Sequence, residues 1–168
     1  FIALFDEGQD VFERMNAFKL QSTVLLEKYG NGAAQHYQYE NAISTYLWLR
    51  YSDKYYIYKF GEVKAVASEL KADYRFKKGA YADNIRNFLK LYDEISEVLK
   101  SDTELVDIFQ SQLTDTCYPD PELKTLTIDV GFYISRQYSQ KAATDAISAG
   151  WQSIDYNPGL SVDTWNKL

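Results

Sequence analysis

Pro119-Asp120-Pro121-Glu122-Leu123-Lys124 is the run whose residue types come nearest to a catalytic pattern. In a P-D…(D/E)-x-K arrangement two carboxylates hold a divalent metal that activates water, and the lysine orients or polarises that water. The two halves of such a site sit on separate hairpin strands, well apart in sequence, whereas here a single residue separates Asp120 from Glu122. Pro121 also blocks regular strand pairing. The run therefore reads as a proline-ordered turn, and a metal-dependent nuclease using Asp120, Glu122 and Lys124 is the least favoured function. Other chemistries lack parts. One Cys and one His cannot make a zinc site. His36 would have to serve any catalytic triad, no G-x-S-x-G elbow accompanies it, and it reads as structural. Cys117 reads as a small buried residue, with no cationic neighbour to lower its pKa. No Gly-Lys pair occurs, so a phosphate-cradling loop is missing, as are dinucleotide fingerprints. The sequence leads us to expect no catalytic residue, no metal ligand and no cofactor in this chain.

What remains is a binding surface. The net charge of −6 argues against a dedicated nucleic-acid binder when the chain is taken whole. The charge is uneven, however: residues 50–90 hold ten basic side chains against five acidic ones, and the acidic excess lies elsewhere. Such asymmetry marks either a polyanion-facing side or a solvated lysine-rich surface. Within this segment Lys54, Lys59, Lys77, Lys78 and Arg86 are the candidates for phosphate contact, with Trp48, Tyr55 and Tyr58 as candidates for stacking on a base. The competing reading puts the aromatics in the core, with Lys54 and Lys59 merely solubilising them, and the residues alone favour it.

The chain must position these residues with the elements that its patterning predicts. Ser44–Phe60 is its densest aromatic stretch, and Tyr46–Tyr51 and Tyr55–Phe60 read as the strands of a hairpin about Ser52-Asp53-Lys54. Leu126, Ile128, Val130, Phe132 and Ile134 alternate with smaller or polar residues, which predicts a further strand over Thr125–Arg136. Helices are predicted over Asp6–Tyr29 with a left-handed stop at Gly30, weakly over Ala33–Ala42, over Glu62–Leu70, and over Asp83–Lys100 with Asp83 as cap. Ser101-Asp102-Thr103-Glu104 fits a capping box that opens a helix to about Leu113. A last helix is expected over Ser139–Ala149. Lys71–Ala82 and Thr114–Lys124 read as loops. The predicted fold class is α+β, predominantly α-helical with a small antiparallel sheet made of the hairpin and the later strand. Residues 1–150 are expected to form one globular domain, with 151–168 as a linker or tail.

A chain of 168 residues is long enough to bury a core without disulfides, and a lone Cys117 fits a reducing compartment. No apolar run approaches the length of a membrane span, and no signal peptide opens the chain. Beginning at Phe1 and ending at Leu168 without a closing element, it reads as a piece of a longer cytoplasmic protein.

Three stretches carry a family resemblance: D-K-Y-Y-I-Y-K-F with the following E-V-K-A-V-A-S-E-L (Asp53–Leu70), L-Y-D-E-I-S-E-V-L (Leu91–Leu99), and Y-P-D-P-E-L-K-T-L-T-I-D-V-G-F-Y-I-S-R (Tyr118–Arg136). From about Tyr46 to Gln140 the chain resembles the N-terminal, pre-motor region of McrB-like AAA+ NTPases of prokaryotic modification-dependent restriction systems. The resemblance implies a region that reads DNA or supports assembly. It also implies a missing C-terminal motor that binds GTP or ATP with magnesium, and a partner subunit that cuts. The chain itself lacks a Walker motif, so no nucleotide-binding residue is carried over. The function expected on this basis is a non-catalytic accessory domain helping DNA target recognition. The alternative is a protein–protein scaffold that contacts the motor or the nuclease subunit through the acidic C-terminal half.

Overall fold

Apolar side chains that recur at three- and four-residue steps need a helix to share one face, and helices are the regular elements of the described chain. The computed structural model describes residues 1–147, with side chains through residue 136. Six helices follow in order: α1 (Val11–Tyr29), α2 (Glu40–Arg50), α3 (Phe60–Glu69), α4 (Tyr81–Ser101), α5 (Thr103–Gln112) and α6 (Lys124–Ile147). Among the described residues there is no strand, so the fold is all-helical and the expected α+β class with its small antiparallel sheet is wrong.

The aromatic hairpin is replaced by two different things. Tyr46–Arg50 ends α2, whose inward residues Ile43 and Leu47 lie one helical turn apart and are fully buried. The chain turns at Ser52-Asp53-Lys54, with the Lys54 and Tyr55 amides donating to the Tyr51 carbonyl. Tyr55–Lys59 then runs as an irregular connector into α3. Unpaired backbone groups are costly when buried, and this connector finds its partners on α2. The Tyr58 amide donates to Ser44 Oγ at 2.9 Å, and the Tyr58 carbonyl accepts from Asn41 Nδ2 at 2.8 Å. Two polar side chains thus do what a second strand would have done.

The strand expected over Thr125–Arg136 is instead the first half of α6. Its buried positions are Thr127, Gly131 and Ser135, which continue at a spacing of four from Leu123 just before the helix. These are mostly small, so α6 lies close against α3 and α4 while Ile128, Val130 and Ile134 pack on the core from its flanks. At Gly131 an added Cβ would stand 2.9 Å from Tyr92 Cζ and nearer still to its hydroxyl. The β-branched residues that suggested a strand cost only a few tenths of a kcal/mol each in a helix, which tertiary packing overrides.

α4 runs through the middle, burying Ile85, Phe88, Leu91, Tyr92 and Ile95 as its apolar stripe predicts. Phe88 meets Tyr56 and Tyr58 of the connector edge-on, and Tyr92 meets Tyr56, at centroid distances of 5.2 to 6.0 Å, while Phe88 and Tyr92 lie 4.7 Å apart. The start of α6 is pinned by polar contacts. Asp120 Oδ2 accepts from the Leu126 amide at 2.9 Å, Ser96 Oγ donates to the Glu122 carbonyl at 3.0 Å, and Lys124 Nζ donates to Asp93 at 2.7 Å and to the Tyr56 hydroxyl at 2.7 Å.

The ends of the helices shift from their predicted places. Asp10 caps α1 by accepting from Phe12 and Glu13 amides. The left-handed residues after α1 are Asn31 and Gly32, not Gly30. The segment expected as a weak helix from Ala33 is irregular up to Tyr39. Asp83 lies in the first turn of α4 rather than at its cap, and Asp102, not Ser101, caps α5. The last expected helix, Ser139–Ala149, merges into α6 as far as Ile147; its final two residues and the tail 151–168 lie outside the described residues.

Gly131→Ala tests the contact between α6 and α4. Overpacking costs about 1–3 kcal/mol, and the alanine regains about 1 kcal/mol of helix propensity. The expected outcome is a net loss of stability in urea unfolding, part of which returns when Tyr92→Phe removes the clashing hydroxyl.

Candidate functional site

Salt bridges sort the cations that the sequence singled out. Lys54 pairs with Glu7, whose other carboxylate oxygen accepts from the Tyr55 hydroxyl at 2.6 Å. Arg14, itself buried, donates to the same hydroxyl at 2.6 Å and to the Leu4 carbonyl at 2.7 Å. The Lys54 and Tyr55 hydrogen bonds hold the Glu7 carboxyl below its usual range. Lys59 stands 3.5 Å from Glu62 and over the Phe132 ring. Arg86 reaches Asp10 at 3.3 Å and lies over Phe12. Each of these three cations already has an acid and gains little from a phosphate.

The aromatic candidates are also occupied. Tyr58 is 4% exposed within the ring cluster, and burial pushes its hydroxyl up to about 12. Tyr55 belongs to the Glu7–Arg14 network. Trp48 is half-buried on α2, and its buried Nε1 has no acceptor. Neither tyrosine offers a free face of the kind that base stacking needs.

Lys77 and Lys78 differ. Both are exposed, and neither side chain has an acidic partner among the described residues. They sit in the connection 70–80 between α3 and α4, which is held from beneath. Asn84, 1% exposed, accepts from the Lys77 amide through Oδ1 at 3.0 Å and donates to the Lys77 carbonyl through Nδ2 at 2.9 Å. Gly79, at φ +89°, supplies the left-handed turn that follows, where an L side chain would be strained. The pair is thus presented on a fixed turn. Lys78 borders a pocket of about 280 Å³ with Tyr39, Asn41, Phe60 and Tyr81.

The same connection brings in cations that sequence reasoning did not select. Lys64, at the outer side of α3, and Lys71 and Arg75 beyond it are exposed and have no ion pair. For Lys64 alone a local signal existed, the absence of an acid three or four residues away on its helix, set against Lys59-x-x-Glu62.

Asp120, Glu122 and Lys124 do not converge. Asp120 is buried and caps α6, Glu122 pairs with Lys100 at 2.8 Å, and Lys124 serves Asp93 and Tyr56. Among the described residues no three His, Cys, Asp or Glu side chains are grouped to hold a metal ion. His36 uses both ring nitrogens in packing: Nδ1 accepts from the Gln38 amide at 2.9 Å and Nε2 lies 3.2 Å from Thr23 Oγ1. Cys117 is exposed, not buried as its residue type suggested, and a hydrogen bond with Thr114 lowers its thiol pKa.

No helix among the described residues is long and apolar enough to cross a membrane. No protein-family model, curated protein or solved structure matches this chain.

The buried tyrosines make a testable pH dependence. Burial raises Tyr56, Tyr58 and Tyr92 above the ordinary value of 10.0, with the Asp93 charge adding to the effect at Tyr56. A hydroxyl held neutral by the fold contributes stability that is complete below the unfolded value and is lost as pH rises toward the folded one. Stability in urea is therefore expected to fall above about pH 10, by up to about 1.4 kcal/mol per pH unit for each such tyrosine. Tyr58→Phe should flatten that fall.

Proposed function

We propose that this chain is a non-catalytic accessory domain of an McrB-like restriction NTPase that contacts DNA phosphates through the connection between α3 and α4. The observation that carries the reading is the state of Lys77 and Lys78, exposed, unpaired and fixed by Asn84 and Gly79. Free lysines at a polyanion release condensed counterions, which gives affinity without sequence information. The reading keeps the phosphate contacts and drops base stacking by Trp48, Tyr55 and Tyr58, whose rings are already engaged or half-buried. On the resemblance stated above, target choice and cutting belong to the assembled system. Its motor, with GTP or ATP and magnesium, and its nuclease subunit lie outside this chain.

Fluorescence anisotropy with plain and methylated duplexes tests it. Lys77→Ala with Lys78→Ala is expected to weaken binding at low salt and to reduce the salt slope by about two. Lys54→Ala, which removes a cation already paired with Glu7, should leave the slope unchanged. No binding at low salt, or a slope indifferent to Lys77 and Lys78, would end the reading.

One observation favours the scaffold reading as second choice. Leu70, Ala72, Leu91, Ile95, Val98, Leu99, Val130 and Ile134 line an apolar groove of about 420 Å³, with Val98 68% and Leu70 46% exposed. Apolar side chains left open in a groove offer a contact surface. If the groove receives the motor of the parent protein, Val98→Glu should abolish capture of that motor in a pull-down and leave DNA affinity intact.

A further inference from the structure

At the C-terminal end of α3 the chain closes around a second, polar concavity of about 390 Å³. Lys64, Ser68, Lys71, Tyr74 and Arg75 line it, over an apolar floor that includes the buried Ala67 and Phe76. No acidic residue is among the lining groups, and Lys64, Lys71 and Arg75 make no ion pair among the described residues. Two acids bear on this lining at Tyr74: Glu94, which accepts a hydrogen bond from its hydroxyl, and the neighbouring Asp73. Three cations border one hollow, and an anion placed there is attracted to each of them.

The backbone around the hollow is set rather than loose. Lys71 adopts φ +53°, its amide donates to the Ser68 carbonyl at 3.2 Å, and the Ala72 amide donates to the Ala67 carbonyl at 2.9 Å. A helix C-terminus carries about half a negative charge, which would oppose an anion. Here the carbonyls of Val66, Ala67 and Ser68 already accept from Leu70, Ala72 and Lys71. Three full positive charges then outweigh what is left of the dipole.

We propose that this hollow binds a phosphate monoester. A monoester carries nearly two negative charges at neutral pH, and the lining holds three positive ones. The guanidinium of Arg75 offers the planar fork that matches two phosphate oxygens, Lys64 and Lys71 act as point charges, and the Ser68 hydroxyl donates to a further oxygen. The size falls within the range of small-ligand sites, so it accommodates more than the phosphate itself. The chemistry is shared by the phosphorylated end of a nucleic-acid strand and by a small phosphorylated molecule. Because it requires no duplex and none of Lys77 and Lys78, this inference goes beyond the DNA-contact reading and stands or falls separately from it.

The test is a titration of the whole chain with inorganic phosphate at constant ionic strength, followed by backbone amide shifts. Saturable shifts concentrated at residues 64–76 are expected. Arg75→Gln should weaken the binding about tenfold, the effect of losing one charge-assisted pair, while Lys77→Ala leaves it unchanged. A 5′-phosphorylated oligonucleotide binding more tightly than its 5′-hydroxyl twin assigns the hollow to strand ends. Equal binding of the two, with inorganic phosphate still saturating, assigns it to a small phosphorylated molecule. Shifts that do not saturate, that spread over distant lysines such as Lys28 and Lys90, or that saturate with unchanged affinity in Arg75→Gln would overturn the proposal.

Discussion

Gly131 over Tyr92 is the contact on which the arrangement of the helices depends. Tyr92 is 1% exposed and wedged among Phe88, Tyr56 and the underside of α6, so it has nowhere to retreat. A hydrogen at the one α6 position above it allows α6 to settle onto α4 and α3. Once α6 is seated, Lys124 reaches Asp93 and Tyr56, and the connector that carries Tyr56 is held between α2 and α4. Close packing of this kind leaves little slack, since interiors are as dense as organic crystals. The connector in turn fixes the start of α3, and α3 with α4 fixes both ends of the basic connection between them.

Ion pairing divides the cations of residues 50–90 by role. Lys54 and Arg86 tie the N-terminal segment to the rest through Glu7 and Asp10, and Lys59 closes on Glu62 at the start of α3. Such exposed pairs contribute little stability each, but a cation so engaged is poorly placed to meet a phosphate as well. Lys64, Lys71, Arg75, Lys77 and Lys78 have no such engagement. The positive character of the segment is therefore carried by a shorter stretch than its composition suggests, from the outer face of α3 to the turn before α4.

Some of this was legible in the residues and some was not. The helices expected over Asp83–Lys100 and Glu62–Leu70 and the loops expected over Lys71–Ala82 and Thr114–Lys124 were readable to within two residues at each end, because period, breakers and prolines agreed with one another. The strand over Thr125–Arg136 was misread because Leu126, Ile128, Val130, Phe132 and Ile134 alternate as cleanly as a half-buried strand. The positions that are buried, Thr127, Gly131 and Ser135, are not apolar and gave no hydrophobic signal. The hairpin failed for a related reason: Ile43 precedes the aromatic run, and only with it does Leu47 complete a helical face. Of the site residues, Lys77 and Lys78 were visible as a basic pair at a glycine, whereas the freedom of Lys64, Lys71 and Arg75 depends on where distant acids fall.

By itself the sequence determined where cations and acids lie along the chain, where the breaks between elements come, and that the parts of a zinc site or a phosphate-cradling loop are missing from it, because these follow from residue types and local spacing. Only the tertiary structure decided that the small residues of α6 face inward, that the aromatic connector is held by Ser44 and Asn41 instead of a partner strand, and which lysines remain without an acid. The physical reason is the same in each case. Burial and charge pairing depend on residues up to seventy-six positions apart, as for Arg86 and Asp10, and no local period encodes that separation.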